Sequence, residues 1–368
     1  MELTRGHARG SSLSGAVSSP RLIHRPTLPM SSDPTENAGS VDATLVAARD
    51  RAVVCDLTPL SLIAVTGPDA TTFLQGQLSV DVGSLRPGQC RYASFNSPKG
   101  RMLANFVLWK DAEGGDRWLA LLPADIAPSV AKRLSMFVLR SKVALAFVSD
   151  TSDRFGVGGP AGADALRKAL GVVPATFEAL TVQSATVLGL PGPRFKIVTP
   201  RISSQSLRTA LHRHATAASF DVWRWLTIRA GVPVITTATQ DRFVAQTANW
   251  ELLGGVDFQK GCYTGQEIIA RMHYLGRLKE RAFLLHADAR DVAPGGRIFS
   301  AAFGDQPCGT VINAAAAPEG GSDLLAVLQL AAAEHRDARL GAPDGPALTP
   351  LPLPYPIPAA AAPRGRTA

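Results

Sequence analysis

Apolar positions along the chain recur at two periods. The run "SLIAVTG" (61–67) alternates as a half-buried strand does, and "PDATTFLQGQL" (68–78) then sets Phe73, Leu74 and Leu78 on one side of a short helix. Thr66 and Asp69 stand ahead of it at capping-box spacing. "CRYASFN" (90–96) and "RMLANFVLW" (101–109) read as strands joined by the turn Ser97-Pro98-Lys99-Gly100, followed by a strand "RWLALLP" and a helix "DIAPSVAKRLSMFVL" (125–139). After a strand near 142–149 a second unit of similar makeup begins, with "DRFGVGG", the helical "AGADALRKAL", "TVQSATVLGL", "RFKIVT" and the helical "SSQSLRTALHRHA". Strands and helices mix there without the strict alternation of a doubly wound sheet, so the class is α+β. From Glu280 onward, short apolar runs separated by Gly, Pro and Asp predict a small all-β module.

The expected organisation is therefore a flexible segment over 1–50, an α+β unit over 51–150, a second over 151–279, a β-barrel over 280–358 and a disordered tail over 359–368. Residues 341–368 hold eight prolines, which suits an irregular end. No apolar run reaches the ~18–20 residues that cross a bilayer, so no membrane association is expected. The net charge of +8 falls to +3 once the two ends are set aside, residues 1–29 carrying +3 and the tail's Arg364 and Arg366 +2. That is a weak footprint for a polyanion, and no basic stripe interleaves with aromatics, so stable nucleic-acid binding is not expected. The first 29 residues are rich in Arg and Ser, a transit-peptide composition, although an ordinary flexible N-terminus reads well from Met30. Cys55, Cys90, Cys262 and Cys308 lie far apart with no C-x-x-C pair, which argues against a zinc or dithiol site and for a reducing compartment.

Chemistry gathers in "KGCYTGQEIIARMHYLGR", Lys260 to Arg277. Thr264 and Glu267 have capping-box spacing, and a helix starting there would carry Ile268, Ile269, Met272 and Leu275 on its apolar side. Cys262 then lies two residues before the N-cap, where the helix dipole and Lys260 both favour a thiolate. Gly261 and Gly265 permit positive φ and close backbone approach. The competing reading is a small apolar cysteine packed under a turn. Upstream, "FDVWRWLTIRAGVPVI" (220–235) reads as an amphipathic helix with Trp223, Leu226 and Ala230 on one side; the tryptophan suits either the core or a planar heterocycle.

The octet "KGCYTGQE" resembles the signature of the YgfZ family of folate-binding, iron–sulfur-cluster-associated proteins, related in fold to the glycine-cleavage aminomethyltransferase. The likeness extends to "GPDATTFLQGQLSVDV" (67–82), "NSPKGRMLANFVLW" (96–109), "AGVPVI" (230–235) and "PLPYPIP" (352–358). The resemblance implies two ferredoxin-like α+β units and a C-terminal β-barrel around a central channel that holds tetrahydrofolate. It implies a cytoplasmic accessory factor whose partners are iron–sulfur client or assembly proteins, among them radical enzymes that thiolate tRNA. By motif position Cys262 matches the family's functional cysteine, with Lys260 beside it and Tyr263, Gln266, Glu267 and Arg271 around it. Trp223 falls where the family has a tryptophan linked to folate binding. No metal-ligand set is carried over, since a lone cysteine cannot supply all the ligands of a cluster.

The rival is a tetrahydrofolate-dependent aminomethyl or methyl transferase. The methyltransferase relatives carry acidic residues in the stretch that matches "KGRMLANF" (99–106), which here contains none, so the best general acid–base candidate is missing. Relatives often show Glu-Ala-Gly where this chain has Arg229-Ala230-Gly231, and a second tryptophan of some relatives is replaced near Leu60.

Overall fold

The alternating segments of the first half pair into a five-stranded antiparallel sheet, in the order Cys90–Asn96, Met102–Lys110, Arg117–Pro123, Leu60–Thr66, Ala144–Phe147. The computed structural model describes residues 38–112, 115–276 and 278–358. The Arg-rich leader and the expected tail over 359–368 lie outside these residues. Helix Ala70–Gln77 turns Phe73 and Leu74 into the core. The capping box expected ahead of it does not form: Asp69 accepts instead from the Lys142 amide at 2.7 Å, tying the helix start to the sheet's far edge.

A second, six-stranded sheet runs in the order Thr216–Ala218, Val53–Asp56, Ser152–Gly158, Arg194–Pro200, Ala185–Leu190, Ala179–Val182. All its pairings are antiparallel except that of Val53–Asp56 with Thr216–Ala218. From Leu60 and again from Ser152 the chain follows the same order of strand, helix, three strands, helix and strand, which accounts for the repeated makeup of the sequence. The strand Val53–Asp56 belongs to the second sheet, so the expected border between units at 150 is crossed by the chain's own start. Helices Gly162–Leu170 and Arg201–His212 cover one face of this sheet around Phe155, Val157, Leu166 and Leu211.

The C-terminal segments form an antiparallel sheet ordered Arg339–Leu340, Arg297–Phe299, Gly309–Ala316, Ser322–Gln329, Glu280–Ala287, Leu348–Leu351. It curls strongly into a half-barrel, the C-terminal β-module that the apolar runs predict. One continuous core joins all three sheets, reaching from Leu62 and Phe95 through Cys55 and Leu188 to Leu284 and Leu325. Residues 38–50 correct the expected flexible start: Ala38–Asp50 is a helix whose Leu45 and Ala48 are buried, favoured by its four alanines.

Candidate functional site

Helix Phe220–Arg229 serves two neighbours at once. Phe220, Trp223, Arg224 and Thr227, spaced three and four apart, face a cavity of about 420 Å³. Trp225 and Arg229, one turn apart on another side, reach buried Asp323 of the C-terminal sheet at 2.9 and 3.5 Å. His286 closes on the same carboxylate at 2.9 Å. Arg229 is thus engaged with the half-barrel and is not among the residues lining the cavity.

Trp223 is placed by an absence. A Cβ at Gly156 would lie 2.4 Å from the indole, so the ring occupies the gap that a glycine leaves in the sheet. Gly156 pairs across the sheet with Cys55 on one side and Lys196 on the other, and cross-strand partners share a face. The indole therefore sits between a thiol and an amine. Burial pushes the Cys55 thiol up to about 12, which marks it as a packing residue.

The cavity's polar groups come from residues that sequence reasoning missed. Arg194 is 2% exposed and donates from Nε and Nη2 to the Pro191 carbonyl at 3.2 and 3.0 Å, from Nη1 to Thr227 Oγ1 and from Nη2 to the Tyr92 hydroxyl, both at 3.3 Å. Tyr92 is braced by Phe177 and Trp250, with ring centroids 5.3 and 5.0 Å away, and burial raises its hydroxyl pKa. Lys196, half-buried two residues along the strand from Arg194, also lines the cavity; desolvation there and then the Arg194 charge lower its amine to about 7. Their alternation within "RFKIVT" was visible as a strand pattern, but nothing local told which face would be wet.

The far wall is the segment 232–236, held from both sides by asparagines. Asn105 donates to the Pro233 carbonyl at 2.7 Å and accepts from the Ile235 amide at 2.8 Å. Asn313 accepts from the Val234 amide at 2.7 Å and donates to the carbonyl of the same residue at 2.8 Å. Both ends of the Asn105 amide are thus committed to backbone. Asp125, exposed, is the one carboxylate among the lining residues, and it accepts from the Thr237 amide at 2.8 Å. Leu60 lines the cavity as well.

The motif around Cys262 is built separately, and no residue from Lys260 to Arg271 is among those lining the cavity. Asp257 accepts from the Gln259 and Lys260 amides at 2.7 and 3.1 Å, turning the chain. Lys260 is buried, and its Nζ donates to the carbonyls of Gln75 and Leu78, both at 2.6 Å, at the C-terminal end of helix Ala70–Gln77. Burial lowers this amine to about 8. Tyr263 is buried beside it, its ring 4.8 Å from Nζ. Of the sequence-predicted site residues, Lys260 and Tyr263 therefore anchor the loop, Cys262, Glu267 and Arg271 are exposed, and Gln266 bonds back to Tyr263 and Lys260.

The capping box expected at Thr264 and Glu267 is corrected. Helix Gln266–Tyr274 starts after Gly265, which takes φ +82, and no side chain caps it. Only glycine fits: a Cβ there would lie 2.4 Å from the Ser97 carbonyl and 3.0 Å from Gly100 Cα, so the motif helix seats on the turn 97–100. Of the expected apolar side, Ile269 is buried while Leu275 is 83% exposed. Cys262 is the exposed cysteine; Cys55, Cys90 and Cys308 are buried. His273 stacks on Phe258 at 3.7 Å between ring centroids. Among the described residues no group of three or more His, Cys, Asp or Glu could hold a metal ion, and no helix is long and apolar enough to cross a membrane.

Two α+β units, a curled C-terminal sheet and a cavity where they meet define a fold of the glycine-cleavage aminomethyltransferase type. The crystal structure of glycine cleavage system aminomethyltransferase T from Bartonella henselae superposes with a TM-score of 0.66 at 19% identity, over 79% of this chain and 82% of that one. Residues 27–197 match the GCVT N-terminal domain family. The tRNA-modifying protein YgfZ of Klebsiella pneumoniae (strain 342) is 32% identical over 71% of this chain and 80% of its own length. Its counterpart in Escherichia fergusonii is 31% identical over the same shares. The chain belongs to the YgfZ family.

Proposed function

We propose that this protein binds a reduced folate in the cavity beside Trp223 and uses the exposed Cys262 thiol in the upkeep of iron–sulfur client enzymes, including those that thiolate tRNA. The observation that carries the thiol half is the contrast between Cys262, held out on a loop clamped by Lys260, and three buried cysteines. Such a thiol works in a reducing cytoplasm. A transient contact with a cluster fits one cysteine better than permanent ligation does.

For the folate half, the cavity's volume of about 420 Å³ and its aromatic walls fit a flat, folate-sized molecule. Trp223 and Phe106 would hold the ring system, and Tyr92, Thr227 and Lys196 would meet its polar atoms. Bound tetrahydrofolate supplies a carrier for one-carbon units. An aminomethyl or methyl transferase is the weaker reading, because the stretch 99–106 offers no carboxylate as general acid and both ends of the Asn105 amide are bonded to backbone.

Two measurements test the proposal. Calorimetric titration with tetrahydrofolate should show saturable binding that Trp223→Ala weakens; absence of binding defeats the folate half. In cells lacking the native protein, Cys262→Ala should accumulate normally and leave tRNA thiolation low, whereas full rescue defeats the thiol half.

A further inference from the structure

Arg194 and Lys196 place two cations on one edge of a largely apolar cavity, and among the described residues no carboxylate pairs with either. All the acceptors of Arg194 are neutral: the Pro191 carbonyl, the Thr227 hydroxyl and the Tyr92 hydroxyl. Lys196 has no hydrogen-bond or ion-pair partner among the described residues. Asp125 lines the cavity but is exposed and is bonded to the Thr237 amide. Cations withdrawn from water elsewhere in this fold are met in one of two ways: Arg281 pairs with Glu251 and Arg229 with Asp323, while buried Arg154 and Lys260 donate to backbone carbonyls. Half-buried Lys196 has neither.

We propose that the missing partner belongs to the ligand, and that the cavity edge at Lys196 and Arg194 receives the carboxylate of an aromatic or heterocyclic acid. Charge and free donors select an anionic oxygen group. Four of the five guanidinium N–H groups at Arg194 are bonded, which leaves one, and the Lys196 amine is unbonded. One guanidinium N–H and one ammonium N–H suit the two oxygens of a carboxylate. The Trp223 indole beside Lys196 supplies the surface for the attached ring. This inference rests on the cavity being the ligand site and not on the ligand being a folate; within the folate reading, the carboxylate is that of the glutamate tail.

The charged and titratable groups around the Lys196 amine are Arg194 on its own strand, Cys55 across Gly156, Tyr92 and Cys90 on the neighbouring sheet, and Asp125 and Arg224 lining the same cavity. Burial pushes both thiols up to about 12 and raises the tyrosine, so these stay protonated at pH 8. Lys196, at about 7, is then mostly neutral. An arriving carboxylate stabilises the ammonium form, and binding at pH 8 draws a proton from the buffer.

The test is titration of the full chain with para-aminobenzoylglutamate and with its diamide, in two buffers of different ionisation enthalpy. We expect the acid to bind about tenfold to a hundredfold more tightly than the diamide and to take up a proton at pH 8. Lys196→Met should erase both effects, and Lys196→Arg should keep the preference without the proton. Equal binding of acid and diamide overturns the inference, as does a preference that survives Lys196→Met. It is also overturned if neither compound binds while tetrahydrofolate does. Binding of the acid with no binding of tetrahydrofolate would end the folate reading and leave this one standing.

Discussion

Trp223 lies directly over the Cα of Gly156, in a space that a single methyl group at that position would fill. The indole is 3% exposed, and Leu226 packs against Gly158 further along the strand, so the open side left to the ring is the cavity. Gly156→Ala should therefore displace the ring into the cavity. The expected cost is about 1–3 kcal/mol of stability together with a loss of tetrahydrofolate affinity comparable to that of Trp223→Ala. Urea denaturation and calorimetry check the two arms, and an alanine variant with unchanged affinity would show that the indole's position is not what the ligand reads.

Lys260 acts on the fold before it acts on anything else. Its ammonium joins the motif loop to the carbonyls of Gln75 and Leu78, so Lys260→Met leaves two buried acceptors unpaired. A loss of about 3 kcal/mol follows, measurable by chemical denaturation. Because the same bonds set the position of Cys262, in vivo rescue should fall with stability, and a second-site stabilising substitution elsewhere should restore part of it. A catalytic amine would not be rescued that way.

These two residues also mark what the sequence could disclose. The β-prone run over 90–96, bounded by turn residues, was enough for strand Cys90–Asn96, which is buried on both faces except at Arg91. Amphipathic period was enough for most of the helices. Cys262 and Trp223 came from resemblance. The clamp on Lys260, the brackets of Asn105 and Asn313 around 233–235, and the cations on the cavity edge all join segments far apart in the chain, where no period operates. The capping box at Thr264 failed for a tertiary reason: Gly265 had to enter the left-handed region to pass the Ser97 carbonyl, and that moved the helix start beyond the threonine.

Exposure divides the cysteines sharply. Under native conditions iodoacetamide should modify Cys262 alone, and mass spectrometry should find Cys55, Cys90 and Cys308 labelled only after unfolding. Burial raises the pKa of all three buried thiols, which slows them further. Rapid native labelling at two or more sites would break the assignment of Cys262 as the working thiol.

Asp323 fastens the cavity-lining helix to the half-barrel through Trp225, Arg229 and His286. Asp323→Ala strands the Trp225 N–H and removes the counter-charge of Arg229, for an expected loss of about 3 kcal/mol. Since Trp223 and Thr227 ride on the same helix, tetrahydrofolate affinity should fall too, although Asp323 itself does not line the cavity. Denaturation and titration on one preparation separate the two effects.

The ligand-free cavity should leave its mark on the pH dependence of stability. Lys196 has a folded pKa of about 7 against an ordinary value of 10.5. Between those limits the unfolded chain holds a proton that the folded chain has released, so the wild type gains stability as pH rises from 7 toward 10.5. Below pH 7 both states are protonated and the cost of the buried charge is present in full. Lys196→Met carries no such proton, and its stability advantage over the wild type should be constant from pH 5.5 to 6.5. Above pH 7 the advantage should shrink, by at most about 1.4 kcal/mol per pH unit. Parallel urea titrations of the two proteins through pH 9.5 read this directly. Curves that keep a constant separation across the whole range would mean that a counter-charge already faces the amine, and the cavity would then have no vacancy for an acid.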